Sequence, residues 1–534
     1  MRSLLSVALT LAVGASARAD VKPHPLFTDN MVLQQGDTIV VWGKADPKEN
    51  VTAQLSGGGG GWGEAVLADE SGHWKIAIAT KGVKPGTGYT LAVTSKGKNT
   101  VTFKNVAVGE VWVCSGQSNM EWPVSNSDTP ENMKAQIAAA KNPNLRLFTV
   151  QKRTAPAPIN DQDNLKHFTK WVESAPETVP GFSAVAYHFG QKLQKELGVP
   201  VGLIHTSWGG TPAEAWTSVE ALDAVPELKY YADRTRAAAK SYAEYDAKKA
   251  MESYEAAVKK WKEAAEAAKA AGKPEPKAPA KPGATAPNLQ PGSPASLYNA
   301  MIHPLLNFKV KGAIWYQGES NAGRAYEYRT LFTTMIEDWR KRFGCDLPFM
   351  LVQLAPFRGG QSGVDYAELR DAQLYATKKL PKCGIAVITD VGNETDIHPK
   401  PKKPVGERLA LAALGIEYGK KLTYYGPLFK AAKFDGATAT LSFDHVGGGL
   451  EAKGGELVGF TVAGADGVFH PAKATIKGDT VVVTSDKVEK PTAARYGWVN
   501  FAKPTLNLFN TDGLPATPFR TDDAPYTTMP KPKK

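Results

Sequence analysis

Between about Val21 and Val106, apolar and polar positions alternate in short runs such as Thr38-Ile-Val-Val-Trp42, Trp74-Lys-Ile-Ala-Ile78 and Tyr89-Thr-Leu-Ala-Val93. Alternation at a period of two marks strands with one buried face, and the spacing predicts a small all-β sandwich over residues 20–105. The glycine run 57–61 opens no helix, so it reads as a flexible loop tip and not as a phosphate cradle. Beyond Val106 the runs become continuously apolar: Val111 to Cys114, Val201 to Ile204, Val310 to Tyr316, Phe349 to Leu354 and Ile385 to Thr389, with helix-length segments between them. Strands apolar on both faces that alternate with helices predict a parallel sheet covered on both sides, an α/β domain over 106–421. In such sheets ligands sit beyond the carboxyl ends of the strands, and the polar phrases of this chain follow such ends.

An Ala/Lys/Glu-rich segment interrupts this domain at 226–295. Its apolar positions Ala247, Met251, Tyr254, Val258, Trp261, Ala265 and Ala268 step by four and three, a heptad seam. The seam predicts a protruding helix or helical hairpin that packs on its own domain, followed by a Pro/Ala/Lys linker with little to bury. Alternating strands with glycine turns return after Leu422, as in Thr480-Val-Val-Val-Thr484, and predict a second β-sandwich-like domain over 422–525 before a basic tail at 526–534.

Composition and charge narrow the setting. The chain begins with a short basic start, an apolar run from Leu4 to Val13 and Ala17-Arg-Ala19, the pattern of a signal peptide over 1–19 cleaved after Ala19. Gly14, Ser16 and Arg18 break the run well before the roughly 20 apolar residues a membrane span needs. The expectation is an exported protein, periplasmic or extracellular, with no membrane span after cleavage. A net charge of +11 is spread thinly, with lysines gathered at Lys400, Lys402 and Lys403, around Lys273 to Lys281 and in the tail. A solvated surface accounts for these, and without a concentrated basic face nucleic acid is not expected as a partner. Cys114, Cys345 and Cys383 form no metal pattern; a bridge between Cys345 and Cys383 is compatible with an oxidising compartment.

The chemistry concentrates in four phrases. Val111-Trp-Val-Cys-Ser-Gly-Gln-Ser-Asn-Met120 ends a strand at Gly116 and presents Ser118 in a polar turn, whereas Ser115 still belongs to the strand. Ester hydrolysis by serine needs a base for its proton, a group that orients the base, and donors for the oxyanion. Ser118 is the candidate nucleophile and His398 the candidate base, in a loop beyond the last core strand. Asp396 is the nearest carboxylate, and Glu319 in Gln317-Gly-Glu-Ser-Asn321 is its rival as the orienting acid. Candidate oxyanion donors are the Ser118 amide, the amides of Gly209 and Gly210, and the side chains of Gln317 and Asn321. Trp122, Trp208 and Trp216 are placed to stack on a sugar or to fill core, and Arg324 and Arg358 are candidate carboxylate binders.

Gly116-Gln-Ser-Asn-Met120, His205-Thr-Ser-Trp-Gly-Gly-Thr-Pro-Ala-Glu-Ala-Trp216, Trp315-Tyr-Gln-Gly-Glu-Ser-Asn-Ala322, and Asp396-Ile-His-Pro399 with Val405-Gly-Glu-Arg-Leu-Ala-Leu411 together resemble the SGNH (GDSL-like) hydrolase superfamily. Within it they are most similar to the sialate O-acetylesterase family of secreted carbohydrate esterases. The resemblance implies a flavodoxin-like three-layer domain with a parallel sheet that removes acetyl groups from sugar hydroxyls without metal or cofactor. It implies Ser118 as nucleophile, His398 as base and Asp396 as acid. The superfamily's acid usually stands three residues before the histidine, where this chain has Thr395, so Asp396 and Glu319 both stay open. Its third block usually reads Gly-x-Asn-Asp, and Gly318-Glu-Ser-Asn321 displaces the amide, which leaves Gln317 as the alternative donor. The expected substrate is an O-acetylated sialic acid, with acetylated xylan or xyloglucan as the alternative. A noncatalytic carbohydrate-binding protein on the same scaffold, and a lipase or thioesterase, are the competing classes.

Overall fold

The 17-residue strand Thr100–Gly116 joins two regions of the molecule. Its first half completes a sheet with Gly86–Ser95, Asn50–Gly57 and Gly60–Leu67, and its second half runs into the centre of a larger sheet. The computed structural model describes residues 20–95, 99–159, 169–283 and 289–530; the expected signal peptide at 1–19 lies outside them.

The N-terminal region adds a second sheet, made of Lys22–Pro23, Thr38–Lys44 and His73–Ala79. Strict alternation of burial along Asn50–Gly57 and His73–Ala79 shows why the period-two pattern was informative. The glycine run behaves otherwise than expected. Gly57 and Gly60 pair as strand ends, and Gly58 and Gly59, both at positive φ, form a two-residue hairpin turn, which glycine accommodates without strain.

In the central sheet the order is Val172–Ser174, Asn142–Thr149, Val201–Ser207, Thr100–Gly116, Gly312–Tyr316, Phe349–Val352, Cys383–Ala386, parallel throughout except for the antiparallel first edge. Without the two strands beyond Val201–Ser207, the order in chain sequence is 2-1-3-4-5. Strand order therefore reverses beside Thr100–Gly116, which makes its carboxyl end the place where a ligand crevice opens. Helices Ala184–Leu197 and Lys403–Ile416 cover one face, burying Val185, Phe189, Leu409 and Ala413 against Trp112 and Ile314. Ala325–Phe343 and Asp365–Lys379 cover the other, around Trp315, which lies between Trp216 and Trp339 in edge-to-face contacts. That second core is continuous with the core of the N-terminal sheets, so the two regions share one apolar interior.

The insertion forms two helices, Lys229–Ala243 and Ala247–Ala270. The second is started by Asp246, whose carboxylate accepts from the Lys248 and Lys249 amides. Its seam is only half-buried, and what covers it is the linker itself. The Trp261 indole N–H donates to the Pro276 carbonyl at 2.7 Å and the Tyr245 hydroxyl to the Gly283 carbonyl at 2.7 Å, so the irregular linker runs back along the second helix.

The C-terminal region has its own core around Leu441, Val462, Val481, Tyr496 and Phe519. Buried Arg370 ties it to the central domain by donating to the carbonyls of Leu354 and of Val499 and Asn500. All three cysteines are free thiols; Cys114 and Cys383 are buried and Cys345 is exposed. Among the described residues, no helix is long and apolar enough to cross a membrane.

Candidate active site

At Gly116 the central strand ends with φ +144°, and a Cβ there would collide with the Tyr316 carbonyl of the neighbouring strand. The chain turns into a single helical turn, Ser118–Glu121, and Ser118 stands at its start. Three other loops are stitched to this turn. The Gln117 amide donates to the Tyr316 carbonyl at 3.0 Å, and the Trp208 amide to the Gly116 carbonyl at 3.1 Å. The Gln117 side chain accepts from the Ser320 amide at 3.3 Å, and Asn119 donates to the Ile397 carbonyl at 3.0 Å. Residues about 280 positions apart are thereby brought together: Ser118 Oγ lies 2.8 Å from His398 Nε2.

The imidazole is held on two sides. Trp122 stacks on it with ring centroids 4.8 Å apart and planes inclined by 17°, its own indole N–H fixed to the Asn126 carbonyl. Asp396 Oδ1 accepts from the His398 backbone amide at 2.8 Å and lies 3.9 Å from Nδ1. Partial burial and the Lys402 ammonium lower the pKa of His398 against the opposing pull of Asp396.

Glu319, the rival acid, is buried and turned elsewhere. Its Oε1 accepts from Asn119 Nδ2 at 2.5 Å, its Oε2 has no hydrogen-bond partner, and burial raises its pKa. Ser115 is fully buried behind Ser118.

Of the expected oxyanion donors, Ser118 and Gly209 meet. A Cβ on Gly209 would stand 3.2 Å from the Ser118 Cβ, a tight contact that a glycine avoids. The Gly209 amide donates to Glu121 Oε2 at 2.8 Å, while Lys152 holds the other Glu121 oxygen at 2.5 Å. Gly210 follows in the same turn, at φ +73°. Gln317 and Asn321 are directed elsewhere, contrary to the expectation that their amides face Ser118. Gln317 Nε2 donates to the Thr211 carbonyl and to Asn321 Oδ1, and Asn321 Nδ2 donates to Glu214 at 3.0 Å. Their role is to brace the 211–214 segment, which Asn321 also grips through the Ala213 amide. Arg324 is committed to Glu214 and Glu327 outside the cavity, exposed Arg358 pairs with Glu394, and Trp216 is core.

The cavity over Ser118 has a volume of about 460 Å³ and is walled by Glu121, Trp122, Lys152, His205 and His398. A second hollow of about 470 Å³ shares Lys152 and continues past Trp208 to Gln290. The Lys152 ammonium lies 5.4 Å from the Trp208 ring centre. His205 is bonded to Ser207 at 2.6 Å, and burial lowers its pKa to about 4. Among the described residues no cluster of His, Cys, Asp and Glu could hold a metal ion.

One residue of the site escaped sequence reasoning. Lys402, read there as part of a solvated lysine cluster, is fully buried, and its ammonium donates to Asn119 Oδ1 at 2.5 Å. Its signal was position alone, four residues after His398 and just before a helix.

A serine hydroxyl bonded to an imidazole at the reversal point of a parallel sheet defines an α/β protein with a Ser–His site. Comparison with known proteins gives the family. The model of the carbohydrate esterase, sialic acid-specific acetylesterase family matches residues 108–272 and 279–415, more than half of the chain. The sialate O-acetylesterase of Mus musculus is 30% identical over 455 residues, covering 76% of this chain and 75% of its own length. The Homo sapiens sialate O-acetylesterase is 29% identical over 459 residues, covering 79% and 76%. A carbohydrate acetylesterase from Xanthomonas citri, known as a crystal structure, is 37% identical with a TM-score of 0.77, covering 94% of this chain and all of that one. The chain belongs to the sialic acid-specific acetylesterase family of carbohydrate esterases.

Proposed function

We propose that this protein is a secreted serine esterase of the SGNH type, acting in the periplasm or outside the cell, that hydrolyses O-acetyl esters on sugars, with O-acetylated sialic acid as the first substrate to test. The observation that carries the reading is the 2.8 Å contact between Ser118 Oγ and His398 Nε2. The 2-1-3-4-5 strand order and the relatives named above support it.

In this reading Ser118 Oγ attacks the acetyl carbonyl carbon while its proton passes to His398 Nε2. The amide of Ser118, at the first turn of a helix where no intrahelical acceptor exists, and those of Gly209 and Gly210 receive the oxyanion. The Gly209 amide becomes available when Glu121 releases it and remains paired to Lys152. Collapse of the tetrahedral intermediate breaks the ester bond, and the imidazolium returns its proton to the departing sugar oxygen. Water, deprotonated by His398, then attacks the acetyl-serine; the bond from the acyl carbon to Ser118 Oγ breaks, the imidazolium returns its proton to Oγ, and acetate leaves. Asp396 is the acid beside Nδ1, where it favours the imidazolium formed in each step.

A second reading, an esterase on neutral acetylated xylan or xyloglucan, is favoured by the pairing of Lys152 with Glu121, which leaves the cavity's cation already neutralised. Acetate release by wild type and Ser118→Ala is measured on O-acetylated sialic acid, acetylated xylan and acetylated xyloglucan. Release from sialic acid alone supports the first substrate, and release from xylan or xyloglucan the second. Equal release by both proteins refutes the serine mechanism, and no release by either from any of the three substrates leaves a noncatalytic carbohydrate-binding scaffold as the account.

A further inference from the structure

Asn119 links the two reacting residues through one side chain. It is the residue after Ser118, and its Nδ2 donates to the carbonyl of Ile397, the residue before His398, at 3.0 Å. The same Nδ2 donates to Glu319 at 2.5 Å. An amide side chain can point its nitrogen at these two acceptors only while its oxygen faces a donor, and that donor is Lys402 Nζ at 2.5 Å. Lys402 has no exposure to solvent, and the other titratable groups facing it are Glu319 and Tyr316 from the neighbouring strand and turn, and Asp396 and His398 from its own loop. The Tyr316 hydroxyl and Glu319 Oε2 are both buried without hydrogen-bond partners, so the ammonium is the cation of a sparsely satisfied polar cluster. Burying an ammonium costs several kcal/mol. A neutral residue would fill the same space without that cost.

We propose that Lys402 is a positioning residue: through Asn119 it fixes the Ser118 turn against the Ile397 carbonyl and so holds His398 over the Ser118 hydroxyl. The inference rests on the esterase reading above. A second consequence follows from the same charge, which stands near the imidazole and opposes its protonation. Burial lowers the pKa of Lys402 to about 7, so this opposition weakens as pH rises past neutrality and is complete on the acid side, where His398 would otherwise be protonated.

The test is the pH–rate profile of full-length wild type, Lys402→Met, Lys402→Arg and Ser118→Ala on p-nitrophenyl acetate, with folding checked by near-UV circular dichroism. In Lys402→Met, kcat is expected to fall roughly tenfold or more with KM within about twofold, as for a displaced catalytic pair. The acid limb moves to higher pH in that variant and stays near the wild-type position in Lys402→Arg, which retains a cation. A lysine that serves packing alone would leave the acid limb unmoved, and that result, or an unchanged kcat in Lys402→Met, overturns the proposal while Ser118→Ala stays inactive. Activity in Ser118→Ala would instead defeat the underlying esterase reading. Should Lys402→Met not fold, Asn119→Ala decides: kcat falls with the acid limb in place if the relay holds the pair, and an unchanged kcat overturns it.

Discussion

Replacing Asp396 by asparagine tests which carboxylate serves the imidazole. The change preserves an oxygen that can accept from the His398 backbone amide, now bonded at 2.8 Å, so the loop keeps its shape while the charge is lost. The lost attraction acts across 3.9 Å from Asp396 Oδ1 to His398 Nδ1. Two unit charges at that separation interact by about 4 kcal/mol at an effective permittivity of 20 and by about 1 kcal/mol in water. The Asp396 side chain is 51% exposed, so a value between these limits applies. About 2 kcal/mol of lost imidazolium stabilisation corresponds to a fall in kcat/KM of roughly thirtyfold. The sign for pH follows from the same charge. Asp396 raises the pKa of His398, so its removal lowers that pKa and carries the acid limb of kcat/KM to lower pH. Glu319→Gln, which keeps an oxygen for Asn119, should leave that limb closer to wild type. Steady-state kinetics on p-nitrophenyl acetate across the acid limb read both effects. Asp396→Asn with unchanged kcat/KM, combined with a large loss in Glu319→Gln, would refute the assignment of Asp396.

Other expected outcomes rest on separate parts of the structure. Gly209→Ala places a Cβ 3.2 Å from the Ser118 Cβ. It should lower kcat by roughly tenfold or more with an unchanged thermal midpoint, read by kinetics alongside calorimetry. Trp122→Ala removes the ring stacked on His398, and kcat/KM should fall further than in Trp122→Phe, which keeps a stacking face. Trp315→Ala empties the fully buried space between Trp216 and Trp339 and should destabilise the central domain by about 3–5 kcal/mol in chemical denaturation. Arg370→Met leaves the carbonyls of Leu354, Val499 and Asn500 without their donor and should expose the junction to the C-terminal domain to limited proteolysis before either domain unfolds.

How much of this was legible in the chain depended on whether a signal was local or required the fold. Continuous apolar runs announced the parallel sheet because burial on both faces forces uniform composition, as Val201–Ser207 shows. Ser118 and His398 stood out because each follows a strand end, and parallel strands deliver all such ends to one rim. Side-chain direction was not legible. Gln317 and Asn321 follow their strand as expected, yet Gln317 donates to the nearby Thr211 carbonyl, and Asn321 donates to the Glu214 carboxylate and accepts from the Ala213 amide. Lys402 was hidden by its neighbours, since a lysine among Pro399, Lys400, Pro401 and Lys403 looks solvated until the Asn119 oxygen is seen against it. The return of the linker along the insertion helix was hidden likewise, because Trp261 finds its partner in a backbone carbonyl that composition does not mark.

Labelling with a fluorophosphonate followed by peptide mass mapping tests the central claim most directly, because such reagents react with a serine made nucleophilic by a neighbouring base. A single adduct on Ser118, absent from His398→Ala and accompanied by complete loss of acetate release, is the predicted result. An adduct on another serine, or full esterase activity in enzyme carrying the Ser118 adduct, would contradict it.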